Sequence, residues 1–310
     1  MRAMIDLFKM LRPVNLLLVV IMLAGIKYGL LETNGVATAL DDLHFALLVI
    51  ATMCVTGAGN VINDIEDQDI DRINRPHRVL VKGNVSTKSA FRFYLLLNLI
   101  GVGLGFYLAN QLERPGLGVI FIIVSGLLYY YSNQLSSTAL MGNLSVSFLV
   151  AICVLLPVLF DIFPAIQPQG MSIAQGKASA LILIFAGYAF YITLVRELVK
   201  DILDIDGDYA EGRRTLPIIM GRDRSRWFAF WMMLLLLLAT LAIAYTFDRA
   251  HQNLALFVLF CVGGLMLTIS IQLYHAKRPK DLKLISNLLK ALLFMGLLGL
   301  ILFPDQLMTL

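Results

Sequence analysis

Two nine-residue segments hold the densest chemistry in the chain: NDIEDQDID at 63–71 and KDILDIDGD at 200–208. Five residues of the first are Asp or Glu and none is basic. Asn63, Asp67 and Asp71 stand at i, i+4 and i+8, so on one helix they would share a face, drifting by roughly 80° in all. Asp204 and Asp208 have the same i, i+4 spacing, with Lys200 one turn earlier. Carboxylates stacked in this way repel, by about a few tenths of a kcal/mol when exposed and by more in a low-dielectric site. Oxygen ligands gathered on one face suit a hard divalent cation. Mg²⁺ typically takes one or two carboxylates while a phosphate completes its shell, and two clusters could hold two ions.

Bases flank both segments. Arg72, Arg75, Arg78, Lys200, Arg213 and Arg214 all lie within a few residues of the acids. Arginine forks match phosphate oxygens and lysines act as point charges, so a diphosphate is the anion such a setting would take. Arg72, Arg78, Lys200 and Arg213, with Asn60 just before the first segment, are the candidate diphosphate ligands. Arg222, Arg224, Arg226 and the basic group at 277–283 fit the ordinary enrichment of bases at one membrane face. Arg196 and Glu197 lie inside an apolar segment, where ionisable groups are costly; pairing with each other and a catalytic part both fit them.

The elements that must position these residues are apolar. Of 310 residues, 59% are hydrophobic and 15% charged, with a mean hydropathy of +0.80. A soluble domain of this size could not cover so much apolar surface. Phe45 to Ile62, which runs straight into the first acidic segment, carries no charge at all. Uncharged runs long enough to cross a bilayer recur along the chain. The pattern predicts an all-α polytopic membrane protein of one domain, 1–310, with nine helices around a central cavity. They are expected near 14–31, 44–66, 91–110, 116–135, 142–160, 178–203, 226–246, 254–274 and 286–303. Helices satisfy their own backbone hydrogen bonds in lipid, so no strand is needed.

Nineteen Lys and Arg residues fall in the N-terminus and alternate links, against Arg114, Lys177 and Arg249 in the opposite links. That asymmetry puts the N-terminus and both acidic segments on the cytoplasmic side. The net charge of +4 is thus a topology signal and not a nucleic-acid signal. The first helix shows no convincing cleavage site and is expected to be retained. Cys54, Cys153 and Cys261 have no metal-like spacing and read as core packing. His44, His251 and His275 read as surface groups at helix edges, and His77 as a solvated loop residue near the phosphate ligands.

Aligned without gaps, the two acidic segments are identical at five of nine positions, pairing Asp64 with Asp201, Ile65 with Ile202, Asp67 with Asp204, Asp69 with Asp206 and Asp71 with Asp208. Each follows an apolar helix and leads into an arginine-containing loop. Two pseudo-repeated halves facing one cavity are expected. An anionic head bound where long apolar helices meet water implies an isoprenyl diphosphate whose tail lies in the bilayer. Loss of the diphosphate would leave an allylic carbocation; metal and Arg or Lys would stabilise the departing charge, and a dry cavity would keep water away. Tyr129, Tyr130, Tyr131, Tyr188 and Tyr191 could face the cation or anchor helices at the interface.

At these residues the chain resembles the UbiA superfamily of intramembrane prenyltransferases. NDIEDQDID matches the first family motif, NDxxDxxxD, and KDILDIDGD the second, of DxxxD type. LRPVN at 11–15, GNVIND at 59–64, MGNLSVS at 141–147 and RRTLPIIMG at 213–221 also match, in the family's order over nearly the whole chain. The resemblance implies a nine-helix bundle, Mg²⁺ as cofactor, and prenyl transfer from a diphosphate donor to a lipophilic acceptor. It also implies Asn63, Asp67, Asp204 and Asp208 as primary metal ligands and Asp71 and Asp201 as ligands or their supports, with Asp67, Asp71, Asp204 and Asp208 catalytic. Members often carry a lysine after the tyrosines of the fourth helix; here YYYSNQLSSTALMGN offers Ser136 and Ser137 and no base. VINDIEDQDIDRINRPHR and RELVKDILDIDGDYAEGRRTLP are most similar to the branch that geranylgeranylates geranylgeranylglyceryl phosphate. Members that prenylate 4-hydroxybenzoate or homogentisate share much of the pattern.

Two rival classes bear on the same residues. A CDP-alcohol transferase needs DGxxAR followed by GxxxDxxxD; Glu211 stands where its arginine belongs, and the second part is absent. A cation or substrate transporter would also use intramembrane carboxylates and a repeat. Its acids would sit near mid-membrane, whereas these cluster at helix ends beside arginines, and the remaining embedded ionisable residues (Lys27, Arg196, Glu197, Lys290) form no relay by sequence. No nucleic acid and no obligate protein partner is expected; the partners are the donor, the acceptor and membrane lipid.

Overall fold

A computed structural model describes residues 2–74, 81, 85–247 and 249–309. Among these, nine helices are long and apolar enough to cross a membrane. They are α1 (Pro13–Glu32), α2 (Asp42–Glu66), α3 (Thr87–Gln111), α4 (Pro115–Asn133), α5 (Met141–Ala165), α6 (Ile173–Ala210), α7 (Arg222–Tyr245), α8 (Arg249–His275) and α9 (Pro279–Leu302). The described residues form isolated bridges but no strand.

Local chemistry sets the helix starts. Pro13, Pro115 and Pro279 open α1, α4 and α9 where a missing N–H costs nothing. Asp41, Ser86 and Ser172 cap α2, α3 and α6, the last in a reciprocal capping box with Gln175. Leu23, Phe45, Leu108, Phe121 and Phe160 pack α1 to α5 together. Val195, Met233, Met266 and Leu289 pack α6 to α9, and Ile26, Val154, Ile182 and Leu300 join the two groups through α1, α5, α6 and α9.

Three expectations are corrected and one helix is added. α6 does not stop near 203 but runs 38 residues, to Ala210. At 1.5 Å per residue it is about 57 Å long, against roughly 30 Å of hydrocarbon, so its second acidic segment belongs to the helix and does not follow it. The hydropathy pattern ends earlier because these polar turns leave the bilayer while the helix continues. An amphipathic helix, Arg2–Met10, precedes α1. His251 is buried, its ring 3.2 Å from the Thr309 hydroxyl, because α8 begins underneath the C-terminal segment. Cys261 is exposed, since it lies on the outer face of α8.

α1 and α5 both loosen to π-helix at the end far from the acids, over Gly25–Glu32 and Val158–Ile162. In α5 this follows Pro157, which supplies no N–H to the ladder. The wider turns bring Lys27 and Asp161 together, 2.9 Å apart and each at most 1% exposed. Lys27 also donates to the Thr38 hydroxyl and the Leu40 carbonyl, while Asp161 accepts from the Ala39 and Leu40 amides. The ion pair thus fixes the α1–α2 link across the end of the bundle.

Candidate active site

A cavity of about 780 Å³ opens between the helices. Its deep wall is apolar, with Leu149, Val150, Leu156, Phe294 and Leu297 among its residues, and its mouth is charged. α2 brings Asn60, Asn63 and Asp64 to the mouth, and Asp71 joins from the short helix Gln68–Asn74. α2 ends at Glu66 with Asp67 as its C-cap; the Asp71 amide then bonds back to the Asp67 carbonyl, 2.8 Å away. A small break therefore separates Asn63 from Asp71, in place of the single continuous face that the spacing predicts.

The two acidic segments meet at one guanidinium. Arg213 donates to Asp67 and lies 3.9 Å from Asp208. Only 16% of its side chain is exposed. Gly212, at φ +69°, makes the turn that returns the chain from α6, and the Arg214 amide bonds to the Ser137 carbonyl at 2.8 Å. The α4–α5 link thus braces the arginine loop. Thr215 donates to Asp208 at 3.3 Å. Asp204 lies one turn earlier on α6, half-buried.

Asn143 donates to Asp201 at 2.8 Å. Gly142 makes this possible: a Cβ there would fall 2.8 Å from the Leu135 carbonyl oxygen. On the other side, Asn63 donates to Asp67 at 2.7 Å and faces Ser132 at 3.4 Å. Arg12 donates to Asp64 at 2.8 Å. Burial opposes the Arg12 charge, but Asp64, by charge and hydrogen bond, with Asp67 and Asp71 behind it, outweighs that loss and leaves its pKa raised.

The other sequence candidates fall in different places. Arg72 pairs with Asp69 on the exposed side of its helix. Arg78, with Arg75 and His77, lies outside the described residues. Asn60 donates to the Leu11 carbonyl. Lys200 lines the cavity but donates to both oxygens of Glu197, which also accepts from Arg196. Tyr131 lines the cavity; Tyr188 and Tyr191 instead bond to Thr240 and the Met232 carbonyl of α7. Arg12, Asn143 and Thr215 were not singled out by spacing. The signal available was a polar residue at a helix entrance: Arg12 and Asn143 beside Pro13 and Gly142, and Thr215 two residues before Pro217.

Among the described residues no three His, Cys, Asp or Glu side chains are grouped closely enough to enclose a metal ion by themselves. The donors nevertheless fit a hard divalent cation. All are oxygens, and carboxylates from two separate helices converge on the single positive group of Arg213. A phosphate-bridged Mg²⁺ needs only one or two carboxylates from the protein.

Residues 18–298 match the UbiA prenyltransferase family. Over 227 residues the chain is 34% identical to a digeranylgeranylglyceryl phosphate synthase of Methanothermobacter thermautotrophicus, covering 73% of this chain and 71% of that one. Over 271 residues it is 30% identical to the protein of the same name from Korarchaeum cryptofilum, covering 86% and 88%. The solved structure of a UbiA homologue from Archaeoglobus fulgidus, bound to GPP and Mg²⁺, shares the fold with a TM-score of 0.58 over 95% of this chain and 99% of that one, at 12% identity. With nine spans among its described residues and paired acidic segments, this chain belongs to the UbiA prenyltransferase family.

Proposed function

We propose that the protein transfers a geranylgeranyl group from its diphosphate to the free hydroxyl of geranylgeranylglyceryl phosphate. The observation that carries the donor half is the meeting of Asp67 and Asp208 at Arg213, at the polar mouth of an otherwise apolar cavity. The acceptor half rests on the relatives named for that product. Asn63, Asp67 and Asp71 would hold Mg²⁺ from one side and Asp204 and Asp208 from the other, with Asn143 fixing Asp201 behind them. Bound there, Mg²⁺ supplies positive charge to the departing diphosphate. Arg213 adds a fixed cation beside it. The prenyl chain lies along the apolar wall, whose side chains exclude water from the allylic carbon. The C1–O bond to diphosphate breaks, the acceptor oxygen forms an ether bond to C1, and the hydroxyl proton leaves to water at the mouth. The excess of basic residues around this end of the bundle supports a cytoplasmic mouth and N-terminus.

The test is incubation of the purified protein in detergent with geranylgeranyl diphosphate and geranylgeranylglyceryl phosphate, 4-hydroxybenzoate or homogentisate. Each is run with Mg²⁺, with chelator, and with Asp67→Asn, and products are read by mass spectrometry. The expected result is an ether of the glyceryl phosphate alone, lost with chelator and in the variant. An aromatic adduct in its place refutes the acceptor, and Mg²⁺-independent product refutes the metal site.

A further inference from the structure

Below the acidic mouth the sign of the cavity reverses. One turn deeper than Asp204 on α6 comes Lys200, and another turn deeper Arg196, roughly 6 and 12 Å along the axis. Across from them α9 contributes Lys290, eleven residues from its start, about 17 Å along that helix. All three line the same cavity. A lysine in the middle of an apolar helix is costly unless it has work to do.

Their partners do not account for them. Glu197 accepts from both Arg196 and Lys200 and so offsets one of those two charges. Lys290 makes no hydrogen bond or ion pair with a described residue, and lies within electrostatic reach of Arg196, Lys200 and Arg12, with Glu197 as the opposing charge. The Arg196 Nε is buried without a hydrogen-bond partner. Arg12 is already paired with Asp64. Two positive charges remain uncompensated, which is the complement of a phosphate monoester, at about −1.5 to −2 near neutral pH.

We propose that Lys290, with Arg196 and Lys200, forms a second anion site in the cavity, separate from the acidic clusters that serve the donor, and that it binds the phosphate of the acceptor. This rests on the reading that the acceptor is a phosphorylated prenyl glycerol. The level of the site suits that task. In a glycerol backbone the free hydroxyl is never more than two carbons from the phosphate. An anion held a turn or two below the donor's diphosphate therefore brings the hydroxyl beside the donor's first carbon. The site also sets specificity, because an acceptor without a phosphate leaves three cations with one carboxylate.

The experiment uses the purified protein in detergent with geranylgeranyl diphosphate and two acceptors, geranylgeranylglyceryl phosphate and the same molecule without its phosphate. Wild type should prefer the phosphorylated acceptor. In Lys290→Gln that preference, as a ratio of kcat/KM, should shrink by about tenfold or more. The acceptor KM should rise while the donor KM stays within about twofold; Lys290→Arg should restore the ratio, and Arg196→Gln should reproduce the loss. A general folding defect would lower both acceptors together and leave the ratio unchanged, which overturns the proposal. A rise in donor KM instead of acceptor KM overturns it too, by assigning these cations to the diphosphate. A wild type that prenylates only aromatic acceptors overturns both this site and the reading beneath it. That outcome is recognisable before any substitution is made.

Discussion

Asp161→Asn removes one negative charge from the far end of the bundle and leaves Lys27 behind. Lys27 Nζ is 2.9 Å from Asp161, and both side chains are at most 1% exposed, so water cannot replace the lost partner. The amide can still accept from the Ala39 and Leu40 backbones, which isolates the loss to charge. Breaking a buried pair on one side typically costs about 3–5 kcal/mol. Glu32, 3.6 Å from Lys27 but nearly half exposed, is a weak substitute that places the expected loss toward the lower end, about 3 kcal/mol. That lowers the ratio of folded to unfolded protein by roughly two orders of magnitude. The assay is denaturant titration of the purified protein in detergent, comparing wild type, Asp161→Asn, Lys27→Met and the pair Lys27→Met with Asp161→Asn, which keeps the acceptor for the Ala39 and Leu40 amides. The double variant should recover most of what either single change loses, because it leaves no uncompensated charge. A single variant within about 0.5 kcal/mol of wild type, or a double loss equal to the sum of the singles, would refute the argument.

Two further substitutions address the polar mouth. Arg213→Gln deprives Asp67 and Asp208 of their shared cation, and kcat/KM for the donor should fall by roughly ten- to a hundredfold; Arg213→Lys should recover only part of this, since it lacks the fork that spans two helices. Steady-state kinetics with varied donor would check it, and an unchanged value would remove Arg213 from the site. Gly142→Ala sets a methyl 2.8 Å from a backbone oxygen that cannot turn aside, so it should cost about 1–3 kcal/mol in the same titration and reduce activity by displacing Asn143 from Asp201.

The membrane architecture was legible because hydropathy is a sum over many residues and tolerates local error. The acidic segments were legible because five and four carboxylates in nine residues are expensive without a purpose. Their geometry was not. The gapless match pairs Asp64 with Asp201, yet Arg12 from the N-terminus binds the first and Asn143 from α5 binds the second. Those partners lie 52 and 58 residues away, beyond any local pattern. The first segment breaks at Asp67 whereas the second continues within α6. Periodicity alone cannot distinguish these, since both read as i, i+4. Lys200 looked like a diphosphate ligand by proximity in sequence. The helix turns it one level deeper, toward Glu197.

Helix polarity gives an independent reason to regard the acidic mouth as a cation site. Some acids at helix ends sit where they are favoured: Asp41 caps the N-terminus of α2, accepting from the His44 amide at 2.8 Å, and Asp281 lies in the first turn of α9. Asp67, Asp204 and Asp208 do the opposite, whereas Asp71 lies in the first turn of Gln68–Asn74. Asp67 caps the C-terminus of α2, and Asp204 and Asp208 lie in the last two turns of α6. There the helix dipole already presents negative charge, so a carboxylate is disfavoured by about 0.3–1 kcal/mol before its neighbours are counted. Two helix C-termini pointing their carbonyl ends and their carboxylates at one place create a field that only positive charge relieves. Arg213 relieves part of it in the protein alone. The part that remains would favour a bound cation, and it predicts that Asp→Asn changes at 67, 204 and 208 raise thermal stability in the absence of Mg²⁺ while abolishing any stabilisation that added Mg²⁺ and diphosphate confer on wild type. If the same changes destabilise the metal-free protein, the carboxylates are structural, and the argument from helix polarity fails.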